Sequence, residues 1–120
     1  MSVPEHAIHY FEIVTPDVEG ACQLYGTAYG WRFEATGPEM GNSFLAEMAD
    51  GGICGIRAPM HEQENPIVRT YLRVADIDEA VKRAAELGAE IALERMEIPG
   101  HGTIAIYFYG GIQQGLWQVP

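Results

Sequence analysis

Tyr10 and Glu12 stand two residues apart in the run Tyr10-Phe11-Glu12-Ile13-Val14, and Arg69, Tyr71 and Arg73 recur at the same interval in Ile67 to Val74. A two-residue interval in an aromatic and β-branched stretch is strand periodicity, so each set projects from one face of its strand. With the two strands as neighbours, two guanidinium groups and a carboxylate meet among phenols. A guanidinium grips a carboxylate through paired N–H donors, so the chemistry expected there is capture of a small anionic aromatic or keto-acid ligand. The competing arrangement is a structural Glu12–Arg73 ion pair that leaves nothing to bind. Trp117, Tyr107 and Phe44 are candidates for an apolar wall.

The four histidines do not share a spacing suited to a metal ion. His6 and His9 fall on opposite faces of one strand, His61 lies in a polar segment and His101 in the turn Pro99-Gly100-His101-Gly102. Alternation sends His9 to the side facing a helix, where a hydrogen-bonded structural role is expected. His101 reads as a solvated turn residue, with proton transfer at a cleft mouth as the alternative. Cys22 and Cys54 sit in an apolar helix face and an apolar strand, and are expected to be reduced core residues.

The elements that must position these groups come in two copies. Tyr10 to Ala21 and Tyr71 to Ala80 match class by class: aromatic, apolar, charged and apolar residues, then an Asp that opens a helix. A repeat at half the length of a small chain points to one supersecondary unit used twice. In the first copy, a strand from His6 to Val14 precedes Asp17, whose side chain can cap a helix that Gly30 ends. Strands follow at Trp31 to Ala35, Ser43 to Met48 and Ile53 to Arg57, the last two joined by the hairpin signal Asp50-Gly51-Gly52. Pro59 to Pro66 reads as a linker. In the second copy, a strand from Ile67 to Val74 leads to Asp76 and Glu79, a capping-box-like start. Ile77, Ala80, Val81, Ala84, Ala85 and Gly88 then recur at helical spacing. Strands at Glu90 to Glu94, Thr103 to Tyr109 and Gln113 to Val119 complete it. The expected fold is α+β: one domain over residues 1–120, with two βαβββ repeats at about 5–58 and 66–119. Their mixed sheet curves round a cleft, with the helices outside.

A chain of 120 residues can bury a core without metals or disulfides, and 48% hydrophobic with 20% charged residues is ordinary globular composition. The net charge of −10 would repel phosphate backbones and anionic lipid, so nucleic acid and membrane surfaces are not expected as partners. No apolar run approaches the ~20 residues of a membrane helix, and the start lacks a basic region followed by an apolar core. A cytoplasmic location is expected.

Several stretches together resemble the vicinal oxygen chelate superfamily, the glyoxalase, bleomycin-resistance and extradiol-dioxygenase group, and most nearly its small glyoxalase-like, hydroxylase-annotated members. They are Thr15-Pro16-Asp17, Tyr29-Gly30-Trp31-Arg32-Phe33, Asp76-Ile77-Asp78-Glu79-Ala80, Ile98-Pro99-Gly100-His101-Gly102 and Gly115-Leu116-Trp117-Gln118. The resemblance implies the paired βαβββ fold and a cleft. In metal-dependent relatives it also implies a His or similar ligand on the first strand of each half and a Glu on the last strand. Here those positions hold Tyr10, Arg69 and Gly115, none an ordinary ligand. The expectation is therefore a homodimeric small-molecule-binding protein without a metal cofactor, its ligand held by Tyr10, Glu12, Arg69, Tyr71, Arg73 and Trp117. The alternatives are a metal-dependent lyase, isomerase or dioxygenase with unusual ligands, such as Glu12 and Glu47 with a His, and a structural or regulatory dimer.

Overall fold

The computed structural model describes residues 3–120. Its elements run β1 (Ile8–Val14), α1 (Val18–Tyr29), β2 (Glu34–Ala35), β3 (Phe44–Glu47), β4 (Ile53–Arg57), β5 (Ile67–Arg73), α2 (Ile77–Glu86), β6 (Glu90–Ile98), β7 (Gly102–Tyr109) and β8 (Ile112–Gln118), with one 3₁₀ turn at Pro38–Met40. The eight strands form a single sheet in the order β2-β3-β4-β1-β5-β8-β7-β6. Each half contributes four strands, and in each the first strand pairs parallel with the last, β1 with β4 and β5 with β8. The halves join where β1 meets β5 antiparallel, with Tyr10 opposite Tyr71 and Glu12 opposite Arg69. The α+β, twice-βαβββ architecture is as expected.

Both helices start on a carboxylate that accepts from the first turn: Asp17 from the Gly20 N–H at 3.0 Å and Asp76 from the Glu79 N–H at 3.1 Å. Gly30 ends α1 in the left-handed region, where a side chain is strained. The helices cover the outer face of the sheet. Val18, Ala21, Cys22 and Tyr25 of α1 pack against Ile13, Cys54 and Ile56, while Ile77, Ala80 and Val81 of α2 pack against Val74, Ala105 and Leu116. Burial pushes the Cys54 thiol up to about 12, so at neutral pH it stays an unreactive thiol in this layer. A third cluster, on the inner face, gathers Tyr10, Met40, Tyr71, Ile98, Ile104 and Trp117. No helix among the described residues is long and apolar enough to cross a membrane.

Three elements depart from expectation. The strand from Trp31 to Ala35 shrinks to Glu34–Ala35, because Trp31 turns back to meet Tyr25 and Tyr29 of α1, with ring centroids 6.0 and 5.4 Å away. β6 continues to Ile98, past the expected end at Glu94, and slips register between Ile91 and Leu93 and again between Leu93 and Met96. These irregularities re-aim side chains: Ile91 lies beside Val81 and Lys82 of α2, whereas Leu93, Met96 and Ile98 face the inner cavity. The third departure is at His9, where β1 slips against β5 between Ile8 and Tyr10. His9 leaves the helix-facing side predicted by alternation and sets its ring 5.2 Å from that of Trp117.

Candidate functional site

On the inner face of the sheet is a cavity of about 260 Å³, lined from both halves. Leu93, Met96, Ile98, Ile104 and Ile106 make one apolar side, and Trp117 closes the base. The Trp117 ring stacks on Tyr10 at 4.8 Å and meets Tyr71 edge-on at 5.6 Å, with its N–H held by the His101 carbonyl at 2.9 Å. His101 thus works through its backbone, behind the aromatic wall.

Opposite the apolar side lies a cluster of charges. Glu12 accepts from Arg69 at 2.5 Å and from the Tyr71 hydroxyl at 3.1 Å through one carboxylate oxygen, and from Arg57 at 3.0 Å through the other. Arg57 then extends its two terminal nitrogens to Glu64, at 2.9 and 2.7 Å, and donates to the Ala58 carbonyl. Arg69 directs Nε and a terminal nitrogen to the single amide oxygen of Gln113, at 2.9 and 2.6 Å. The side chains of Arg57, Arg69 and Glu12 are each 10% exposed or less. Two buried cations and two carboxylates balance. A guanidinium has five N–H donors, so the hydrogen bonds leave one terminal N–H on each arginine without a partner among the described residues.

Burial first, and then the adjacent Glu12 carboxylate, push the Tyr71 hydroxyl up to about 12; the same causes raise Tyr10. Both phenols are therefore hydrogen-bond donors at neutral pH and not bases. The hydrogen bonds from Arg57 hold the Glu64 carboxyl at about 2, far below the usual range. Burial, and secondarily the positive charge of Arg73, lower the His9 pKa, so its imidazole is neutral at pH 7.

Of the six residues expected to bind, Tyr10, Glu12, Arg69, Tyr71 and Trp117 all line the cavity. Arg73 does not: it lies past the aromatic floor and donates to the Val3 carbonyl at 2.6 Å, so neither the expected Arg73 anchor nor the competing Glu12–Arg73 pair forms. Tyr107 packs under α2, and on β3 it is Leu45, one residue from Phe44, that joins the inner cluster. Arg57 and Glu64 escaped notice for different reasons. Arg57 ends a strand whose other residues are apolar or Gly, and its phase alone was available as a signal. Glu64 lies in the segment read as a linker, which folds back so that Met60 and Glu64 line the cavity.

Of the three positions where the family resemblance implies metal ligands, Gly115 has a steric explanation. A β-carbon at Gly115 would lie 2.3 Å from a ring carbon of Tyr71, and one at Gly55 would lie 1.6 Å from the Tyr10 hydroxyl. Gly55 is the Cα partner of Glu12, as Gly115 is of Tyr71, so the two glycines are equivalent in the two halves. At each, a tyrosine takes the space a side chain would need, which at Gly115 is the place of the implied ligand. Glu47 is exposed on β3 and does not join Glu12, and no three His, Cys, Asp or Glu side chains converge among the described residues. The residues present do not fit a divalent-ion site.

No family model matches the sequence. Over 117 residues the chain is 27% identical to CFP32 of Mycobacterium bovis, a protein with a provisional glyoxylase designation. That alignment covers 92% of this chain and 44% of CFP32, so the chain spans less than half the length of this curated relative. Among solved structures, methylmalonyl-CoA epimerase from Mycobacterium tuberculosis superposes with a TM-score of 0.76 at 16% identity, covering 100% of this chain and 92% of that one. The hypothetical protein BH1468 from Bacillus halodurans gives 0.78 at 11% identity, covering 95% and 94%.

Proposed function

We propose that this chain, which has the glyoxalase-like, vicinal oxygen chelate fold, binds a small aromatic or carboxylated molecule between its two halves without a divalent metal. The observation that carries this reading is a charge-balanced cluster of Arg57, Arg69, Glu12 and Glu64 facing a largely apolar, aromatic-floored cavity. Few polar groups among apolar walls are the usual composition of a small-molecule site, and about 260 Å³ is just below the ~300–1,000 Å³ typical of such pockets. The ligand is therefore fragment-sized, with one polar head. Its head takes the spare arginine N–H groups while its body lies against Trp117, Ile104 and Ile106. Tyr71 and Glu12 orient Arg69, and the aromatic floor excludes water.

Arg69→Ala and Arg73→Ala separate this arrangement from a generic effect of charge. Loss of a hydrogen bond to a charged group costs about 1.5–3 kcal/mol, so Arg69→Ala weakens the best hit of a thermal-shift ligand screen at least ~tenfold. Arg73→Ala leaves that affinity unchanged. Calorimetric titration of both folded variants checks this, and equal affinity in Arg69→Ala and the parent contradicts it.

A further inference from the structure

We infer that Arg57 is a carboxylate-binding subsite which the protein's own Glu64 occupies in this structure, and that a carboxylated ligand binds by displacing Glu64. The inference rests on the cavity being the binding site, and it fixes the class of ligand that gains most from it: a monocarboxylate with an apolar body.

Geometry supplies the first reason. The Arg57–Glu64 contact is a parallel fork, one terminal nitrogen to each carboxylate oxygen at 2.9 and 2.7 Å, which is how a guanidinium receives any free carboxylate. Arg57 itself is fixed from its other edge by Glu12 and is 8% exposed, so the receptor half of the fork is pre-set and dry. Glu64, by contrast, belongs to neither a strand nor a helix. It lies in the connection between β4 and β5, where its N–H donates to the His61 carbonyl at 3.1 Å, and apart from Arg57 its carboxylate accepts only from the Met60 N–H of the same connection, at 2.7 Å.

Charge supplies the second. With Glu64 in place the cluster sums to zero, Glu39 adds a negative charge to the lining, and the chain as a whole carries −10. An anion entering that balanced site would leave a buried charge uncompensated. Once Glu64 swings out, the Arg57–Glu12–Arg69 cluster carries one net positive charge beside a vacant fork, and a ligand carboxylate restores the balance. Of the two carboxylates on Arg57, only Glu64 can leave, because Glu12 is in the middle of β1 and is bound by Arg69 and Tyr71 as well. With Glu64 seated, a neutral head group is the better match. Glu64 thereby determines specificity by competing for the anchor.

The test uses 3-phenylpropionate and its neutral amide, 3-phenylpropionamide, titrated by NMR against the parent protein and Glu64→Gln. Removing the competing charge tightens acid binding by about tenfold or more, while amide binding changes less than ~threefold. Adding Arg57→Lys to Glu64→Gln, which keeps the charge but loses the fork, abolishes the gain in a protein whose circular dichroism is unchanged. Acid affinity that is equal or weaker in Glu64→Gln overturns the displacement; if the amide meanwhile binds both proteins alike, the cavity reading stands without it. Failure of both probes to bind either protein overturns the two together.

Discussion

Glu12→Ala lowers the stability of this protein by about 3–5 kcal/mol, the range found when one partner of a buried ion pair is removed. The size of the effect comes from what is left behind. Arg57 and Arg69 both point buried guanidinium groups at the Glu12 carboxylate, and Tyr71 donates to it as well. Without it, Arg57 retains Glu64, but Arg69 keeps only neutral acceptors, the Gln113 oxygen and the Tyr71 hydroxyl, and Tyr71 has no acceptor. Against a typical total of ~5–15 kcal/mol this is a large fraction. In a chain of this length it moves the midpoint of thermal unfolding by more than about 10 °C. Urea denaturation of Glu12→Ala and the parent measures it directly, and a loss below ~1 kcal/mol would mean that water enters and solvates the cluster.

Gly115→Ala is the second large effect, with an expected loss of about 2–3 kcal/mol from adding one methyl group. The added carbon would stand 2.3–2.6 Å from three ring carbons of Tyr71, which is 3% exposed and wedged edge-on against Trp117. The clash is with the body of a packed ring and not its free end, so the ring or the β8 backbone must shift, and overpacking of a filled core costs ~1–3 kcal/mol. Gly115 has no positive backbone angle, so the effect is one of packing alone. A double-mutant cycle isolates it: in a Tyr71→Leu background the same substitution costs less than ~1 kcal/mol. An unchanged cost in that background would place the strain elsewhere than the ring.

How much of this was legible beforehand depended on whether a signal was local. The capped helices, the Asp50-Gly51-Gly52 hairpin and β4 were readable because Asp17, Asp76 and the turn glycines act on their own segment. The inward phase of Tyr10, Glu12, Arg69 and Tyr71 was readable for the same reason, since alternation holds wherever a strand is regular. It failed at His9, where β1 slips register against β5, because a bulge depends on the partner strand and leaves no trace in one strand's own pattern. Arg73 shows a different limit: its phase is inward, but the cavity ends at the Trp117–Tyr10 floor before reaching it. Glu64 was invisible as a site residue because a polar segment between two prolines looks like any connector. Its bond to Arg57 spans a fold-back that no local rule contains.

The central claim is that the cavity binds its ligand without a metal ion, and calorimetric titration of chelator-treated protein with the best carboxylate from the screen tests it most directly. The titration is repeated after adding back Mn²⁺, Ni²⁺, Zn²⁺ or Fe²⁺. Saturable one-to-one binding, unchanged within twofold by chelation or add-back, is the predicted result. Binding that disappears on chelation and returns with one divalent ion would contradict the account.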